Sequence, residues 1–129
     1  MSINLLIVDD SELIRASLIR FLERMEGIAR IDQVVSLAHA MERVSQQSPD
    51  MVILDLQLPD GLGVGIIQPM KRLVPSLRIA VLTIHSQSGY RRICQELGSD
   101  WFFDKATEFD ALLEVIRQQA ASAAGQPDC

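Results

Sequence analysis

The sequence predicts an α/β domain built on a single parallel sheet. Three observations carry that expectation. First, short apolar runs recur along the chain: Ile3–Val8, Met51–Leu54 and Arg78–Leu82 are the clearest, and Trp101–Asp104 is a fourth. Runs of this length bounded by turn residues read as strands buried on both faces. Second, segments with apolar residues at helical spacing alternate with them, the pattern of βαβ units. Third, each run delivers a chemically useful residue: Asp9-Asp10, Asp55, Thr83 and Lys105. Ligands of open α/β sheets bind outside the carboxyl ends of the strands. The pattern therefore sets three carboxylates, a hydroxyl and an ammonium at one sheet edge, a setting for a divalent cation and a phosphoryl group.

The elements follow in order. After Asp9-Asp10, Ser11 is a good N-cap and Glu12 suits the positive end of a helix. Ile14, Leu18, Phe21, Leu22 and Met25 recur at helical spacing, and Gly27 closes that segment. Residues Ala29–Val35 read as the second strand. Leu37–Gln47 form a helix through Ala40, Met41 and Val44, stopped by Ser48-Pro49-Asp50. The third strand, Met51–Leu54, leads to Asp55 and a Pro59-Asp60-Gly61 turn. The next helix carries Ile66, Ile67, Met70, Leu73 and Val74. Pro69 fits it if the helix begins near Gly65, where first-turn N–H groups have no partner. The fourth strand runs to Thr83. A helix from about Gln87 to Leu97 follows, with Tyr90, Ile93, Cys94 and Leu97 on one side and Gly98 as its C-cap. The fifth strand is Trp101–Phe103. The last helix begins near Thr107-Glu108 and buries Phe109, Leu112, Leu113 and Ile116. Five strands alternating with five helices, joined by right-handed crossovers, give a doubly wound, flavodoxin-like (βα)5 sheet of order 2-1-3-4-5. Residues 1–120 form the domain, and 121–129 read as a flexible tail or linker stub.

Bulk properties narrow the function. The chain has 129 residues, enough for one domain with a sizeable core. Its net charge is −5 and no Lys/Arg cluster stands out, which argues against direct contact with nucleic acid. No apolar run approaches a membrane span and no secretory signal pattern opens the sequence. The two cysteines, Cys94 and Cys129, form neither a disulfide framework nor a metal knot. A reducing, cytoplasmic setting is expected.

Taken singly, each strand-end residue has a plain structural reading. Asp10 or Ser11 caps a helix, Asp55 makes a turn, Thr83 packs, and Lys105 lies on the surface beside Asp104. Together they say more. Adjacent carboxylates repel unless a cation compensates, and hard oxygen ligands suit magnesium. Asp55, exposed where strand turns to loop, can act as a nucleophile. Lys105 supplies a point charge for Asp55 or for phosphate oxygens.

The motifs Val8-Asp9-Asp10-Ser11 and Asp55-Leu56-Gln57-Leu58-Pro59-Asp60-Gly61, then Thr83, with Lys105 22 positions later, carry a resemblance. From about Ile3 to Gln119 the chain resembles a receiver domain of a two-component response regulator, of the single-domain, chemotaxis-regulator-like kind. The resemblance implies that Asp55 accepts a phosphoryl group from a phosphohistidine of a sensor histidine kinase or phosphotransfer protein. It implies a Mg2+ site in which Asp10 ligates directly, Asp9 mostly through water, and Asp55 and the backbone carbonyl of Gln57 take part. Lys105 would hold a phosphoryl oxygen. Thr83 would swing to hydrogen-bond the phosphoryl group, and Phe102, at the switch-aromatic position, would rotate inward behind it. Output would be binding of a downstream protein through the fourth helix, fifth strand and fifth helix, where Tyr90, Arg91 and Trp101 are candidates. Tyr90 and Trp101 read equally well as core aromatics. A phosphorylation-linked homodimer stays open. Such a protein is a switch rather than an enzyme, catalysing only its own phosphorylation and slow dephosphorylation.

Three positions depart from the family pattern. Ile84 stands where a small residue is usual, and its side chain would crowd the pocket mouth and slow attack by water. Many members have proline, often after a cis peptide bond, where this chain has Ala106, and a non-proline residue there favours a trans bond after Lys105. Phe102 lacks the hydroxyl of the more common tyrosine. The rival reading is a pseudo-receiver, a constitutive protein-interaction module that no longer cycles. A phosphatase with an Asp nucleophile is a poorer fit, because Asp9-Asp10-Ser11 lacks the Asp-x-Asp spacing. The ending Gly-Gln-Pro-Asp-Cys reads as that of a stand-alone receiver, with a receiver cut from a longer chain as the alternative.

Overall fold

Parallel strands buried on both faces need helices on both sides, and the chain supplies them. The computed structural model describes residues 2–84 and 88–124. Strands β1 (Ile3–Val8), β2 (Ile28–Val34), β3 (Met51–Leu54), β4 (Arg78–Thr83) and β5 (Trp101–Asp104) form one sheet in the order β2-β1-β3-β4-β5. Every pairing in it is parallel. Helices α1 (Glu12–Leu22), α2 (Leu37–Gln47), α3 (Val64–Leu73), α4 (Ser88–Leu97) and α5 (Phe109–Ala124) connect and follow the strands. This is the predicted flavodoxin-like fold. All five strands run the same way, so their carboxyl ends share one edge.

Alternation along the strands divides the core in two. Leu5, Ile7, Ile53, Ala80, Leu82 and Phe103 pack with Leu18 and Leu22 of α1 and Leu112 and Ile116 of α5. Leu6, Val8, Val52, Leu54, Val81 and Phe102 pack with Ala40, Val44, Ile67, Met70 and Cys94 of α2, α3 and α4. Each fully buried Leu or Ile contributes about 1.5–3 kcal/mol, so these two layers outweigh any single helix cap, at about 1 kcal/mol. Edge strand β2 keeps a partly exposed face, which is why its alternation is weaker in sequence. Cys94 is a buried filler whose thiol is pushed up to about 11 by burial, so it stays protonated and inert.

The first two helices carry serine caps, and that of α1 is the one expected from sequence. Ser11 Oγ accepts from the Ile14 N–H at 3.3 Å, and Ser36 Oγ from the His39 N–H at 3.2 Å. Several boundaries differ. Helix α1 ends at Leu22, where the Arg24 and Met25 N–H groups turn back to the Phe21 and Leu22 carbonyls. Met25 therefore packs from a loop, Phe21 is 48% exposed, and Gly27 (φ +87°) serves the turn into β2 rather than a cap. Helix α3 starts at Val64, which puts Pro69 in its second turn, not its first. The N–H that Pro69 lacks would have met the carbonyl of Gly65, an exposed residue without a side chain, where water can substitute. On α4, Ile93 is 45% exposed and stands off the core that Cys94 enters. The expected start of this helix at Gln87 lies outside the described residues. Helix α5 continues to Ala124, past the expected start of a tail, with Ala120 fully buried and Ala123 packed on the core. Alanine has the highest helix propensity, and this face is small enough to lie on the sheet. Residues 125–129 of that expected tail lie outside the described residues.

The connection between β3 and α3 folds back on itself as a small antiparallel ribbon, Gln57–Leu58 against Gly61–Leu62. It closes with the Gly63 N–H donating to the Leu56 carbonyl at 2.7 Å. A Cβ on Gly63 would overlap the backbone carbonyl of Asp55 and sit 3.1 Å from Leu56 Cα. Gly63 has φ −59° and ψ −25°, which any residue adopts, so the constraint is purely steric. Gly63→Ala is expected to lower stability by about 2 kcal/mol in urea denaturation, an overpacking cost. An unchanged midpoint would show that the ribbon yields freely.

Candidate functional site

The site is assembled by the sheet's own hydrogen bonds. The Asp9 N–H donates to the Val34 carbonyl at 3.2 Å, the Asp55 N–H to Val8 at 2.9 Å and the Lys105 N–H to Thr83 at 2.9 Å. Each bond extends a parallel ladder one residue past its strand. The charged residues are thus fixed at the carboxyl edge before their side chains interact at all.

There the side chains converge. Lys105 Nζ lies 2.8 Å from Asp9 Oδ2 and 3.1 Å from Asp55 Oδ2. The Lys105, Asp9 and Asp55 side chains are only 10%, 2% and 7% exposed. Asp10 is exposed beside them, and one oxygen from each of Asp9, Asp10 and Asp55 falls within 4.8 Å of the others. Three carboxylates thus face one ammonium.

The compensation is incomplete at one atom. Asp9 Oδ1 accepts from the Ser11 N–H at 2.8 Å. Asp9 Oδ2 is out of water, and Lys105 approaches it as an ion pair without forming a well-directed hydrogen bond. Burial pushes the Asp9 carboxyl above its ordinary range, and Lys105 and the Ser11 N–H offset only part of that. Burial alone would lower the Lys105 ammonium, but Asp9 and Asp55 together raise it above the ordinary value. Lys105 is therefore charged at neutral pH. An oxygen-only donor set of three carboxylates against one ammonium, with the buried Asp9 Oδ2 held by that ion pair alone, fits a hard divalent cation.

Of the other predicted residues, Gln57 lines the same cleft as Asp10, Asp55 and Lys105. Its N–H lies 3.5 Å from Asp55 Oδ1. Ile84, 67% exposed, and Ala106 form part of the cleft's rim. Thr83 and Phe102 stand behind the cleft instead of lining it. Thr83 is fully buried, and Phe102, 8% exposed, belongs to the core under α4. Val81 pairs with Phe102 and Thr83 with Asp104, so the Thr83 and Phe102 side chains share one sheet face. Tyr90 packs half-buried against that core, and Trp101 against the opposite one.

One residue that holds the site shows only as a turn former in the sequence. Asp60 reaches across to the start of α2, where its carboxylate accepts from the Leu37 N–H at 2.9 Å and the Ala38 N–H at 3.1 Å. Gly61, at φ +146°, lets the ribbon approach Leu37 closely. The loop that follows Asp55 is thereby tied to a second helix. No local signal reveals a contact spanning 22 to 23 residues. The Leu37 N–H, then the Ala38 N–H, hold the Asp60 carboxyl below its ordinary value of 3.8. A lowered carboxyl stabilises the fold above its unfolded pKa and loses that contribution as pH falls through its folded one. Asp60→Ala is expected to melt below wild type at pH 7, with the gap closing as pH drops below about 4. A gap undiminished at pH 3 would show that the charge is not what braces the loop.

Comparison with known proteins bears on this arrangement. A family model described as the response regulator receiver domain matches residues 5–117. The transcriptional activator protein ExaE of Pseudomonas putida is 30% identical over 118 residues, which are 91% of this chain and 55% of that protein. The DNA-binding transcriptional activator DevR/DosR of Mycobacterium tuberculosis is 32% identical over 84 residues, 65% of this chain and 39% of that one. The chain spans about half the length of the curated relatives it matches. A solved response regulator from Burkholderia pseudomallei, with a phosphorylated aspartic acid, a calcium ion and citrate, is 27% identical with a TM-score of 0.78. That match covers 98% of this chain and 76% of that one. A CheY-like receiver domain protein from Methanospirillum hungatei shares the fold, with a TM-score of 0.84 at 21% identity over 96% of this chain and 98% of that one. The matched residues 5–117 are most of the chain, which belongs to the response regulator receiver domain family.

Proposed function

We propose that the chain is a phosphorylation-activated signalling switch in which Asp55 accepts a phosphoryl group from a phosphohistidine of a sensor histidine kinase or phosphotransfer protein. The observation that carries this reading is the Asp55 carboxylate at the cleft, with the Lys105 ammonium 3.1 Å away. In the transfer, an Asp55 oxygen bonds to phosphorus as the P–N bond breaks, and the electron pair of that bond returns to the imidazole. Phosphoryl transfer needs alignment and charge neutralisation more than covalent help from the protein. Lys105 supplies one fixed positive charge for a phosphoryl oxygen. Mg2+, held by Asp9, Asp10, Asp55 and the Gln57 carbonyl, would supply the remaining neutralisation and orient the phosphoryl oxygens. Ile84 on the cleft rim would crowd the approach of water to phosphorylated Asp55 and slow dephosphorylation.

Phosphorylation replaces the single carboxylate charge of Asp55, just past the end of β3, with an acyl phosphate of nearly two negative charges, a net gain of about one. Thr83 answers with its hydroxyl, and Phe102 on the same sheet face follows. Together they bias the surface formed by α4, β5 and α5 toward a downstream protein. With a net charge of −5 a protein target suits that surface better than nucleic acid, and a second copy of the chain is one form such a target takes. The setting is cytoplasmic, the turnover limited to the protein's own phosphoryl group. The complete set of acids beside Lys105 favours this reading over a constitutive interaction module.

Intact mass after incubation with Mg2+ and a small phosphodonor, and with a phosphorylated histidine donor, tests it. Wild type is expected to gain one phosphoryl group and Asp55→Ala none, while Ile84→Ala loses the group at least about threefold faster. No gain on wild type from either donor would overturn the reading.

A further inference from the structure

Lys105 sits in a short loop between β5 and α5 that has no proline, and every described peptide bond in it is trans. Other groups must hold the loop, and two acidic side chains do. Asp104 Oδ1 accepts from the Ala106 N–H at 2.7 Å and from the Thr107 N–H at 3.2 Å. Glu108 answers from the far end: its N–H donates to the Asp104 carbonyl at 2.8 Å, and its Oε1 accepts from the Asp104 N–H at 3.1 Å. The two ends of the loop are thus bonded to each other in both directions.

The clasp does not end there. Glu108 Oε1 also accepts from Arg91 Nη2 at 2.8 Å, across from α4. Arg91 Nη1 donates to the Phe102 carbonyl at 3.0 Å, and the guanidinium lies 4.7 Å from the centre of the Phe102 ring. One planar side chain therefore ties α4, β5 and the start of α5 together. Lysine would be a poor replacement, because it has one nitrogen where the planar guanidinium uses two, Nη1 for the Phe102 carbonyl and Nη2 for Glu108.

We propose that Arg91 and Glu108 are positioning residues for Lys105, setting through Asp104 where its ammonium meets the Asp55 carboxylate. This rests on the reading of Asp55 as phosphoryl acceptor. The plain alternative is that they only cap α5. The two differ in what they fix. Lys105 is the residue after Asp104, and its backbone N–H is already bonded to Thr83. With the loop ends clasped, its ammonium stays near both carboxylates. With the clasp open, a displacement of about 1 Å suffices to spoil alignment for transfer.

The chain has two lysines, Lys71 and Lys105, which allows a direct test. Lys71 pairs with Asp100 at 2.8 Å, at the opposite edge of the sheet, and serves as internal reference. Trace acetylation of the intact chain, read by peptide mass spectrometry, gives the Lys105-to-Lys71 labelling ratio. Arg91→Ala and Glu108→Ala are expected to raise that ratio about tenfold, and Arg91→Lys to raise it nearly as much. Glu108→Gln, which keeps an acceptor oxygen, should restore it to within about threefold of wild type. The phosphorylation rate of Asp55 at saturating Mg2+ should fall about tenfold in both alanine variants, with the Mg2+ midpoint within about twofold of wild type. A pure capping role would lower the melting temperature and leave the ratio unmoved. An unchanged ratio in both alanine variants, or equal rises at both lysines, would overturn the proposal. A wild type that takes up no phosphoryl group would overturn the proposed function, and the labelling ratio would still decide the positioning role.

Discussion

A single ammonium between two buried carboxylates organises this protein. Lys105 meets Asp9 and Asp55 where side chains are at most 10% exposed. An exposed pair such as Arg92–Glu96, at 83% and 64%, contributes little after screening and side-chain entropy. The buried set behaves differently, because removing one partner of such a pair leaves the other desolvated, at a cost of about 3–5 kcal/mol. Lys105 is thus held in place, but it does not balance its surroundings. Asp9 keeps an oxygen without a well-directed donor, and Asp10 adds a third negative charge alongside. That excess is what fits the cluster to the divalent cation of the proposed switch.

The topology makes the arrangement inexpensive to build. β1 and β3 are neighbours, so Asp9 and Asp55 arrive side by side. β4 and β5 are neighbours on the far side of β3, so Lys105 reaches across from the adjoining strand ends. Tertiary details then narrow the geometry. Gly63 allows the ribbon to lie on the Asp55 backbone, Asp60 ties that ribbon to α2, and Arg91 joins α4 to the loop that carries Lys105.

Much of this was legible in the sequence, for identifiable reasons. β1, β3 and β4 are covered on both faces, so they appear as apolar runs that few other structures would tolerate. Their last residues follow directly, which is why Asp9, Asp55 and Thr83 could be placed at one edge. β2 shows less because its edge position leaves polar residues on one side. The end of α1 is not visible in the sequence, because Met25 keeps a helical spacing while packing from a loop. The extent of α5 is hidden in the sequence, because Ala120 and Ala123 look like linker composition until a sheet lies beneath them. Asp60 and Arg91 were beyond reach for another reason. Their partners, Leu37 and Glu108, lie 23 and 17 residues away in sequence, and a lone Asp in a Pro-Asp-Gly turn or a lone Arg on a helix carries no local sign of such a bond.

The central claim is that the carboxylate cluster carries more negative charge than Lys105 can offset. Thermal unfolding of wild type and Asp10→Asn, each with and without millimolar Mg2+, tests it most directly. Without metal, the variant should unfold about 3 °C above wild type, reflecting about 1 kcal/mol of relieved repulsion. Mg2+ should raise the wild-type midpoint by several degrees and the variant's by much less. A variant less stable than wild type without metal, or a wild type indifferent to Mg2+, would contradict the account.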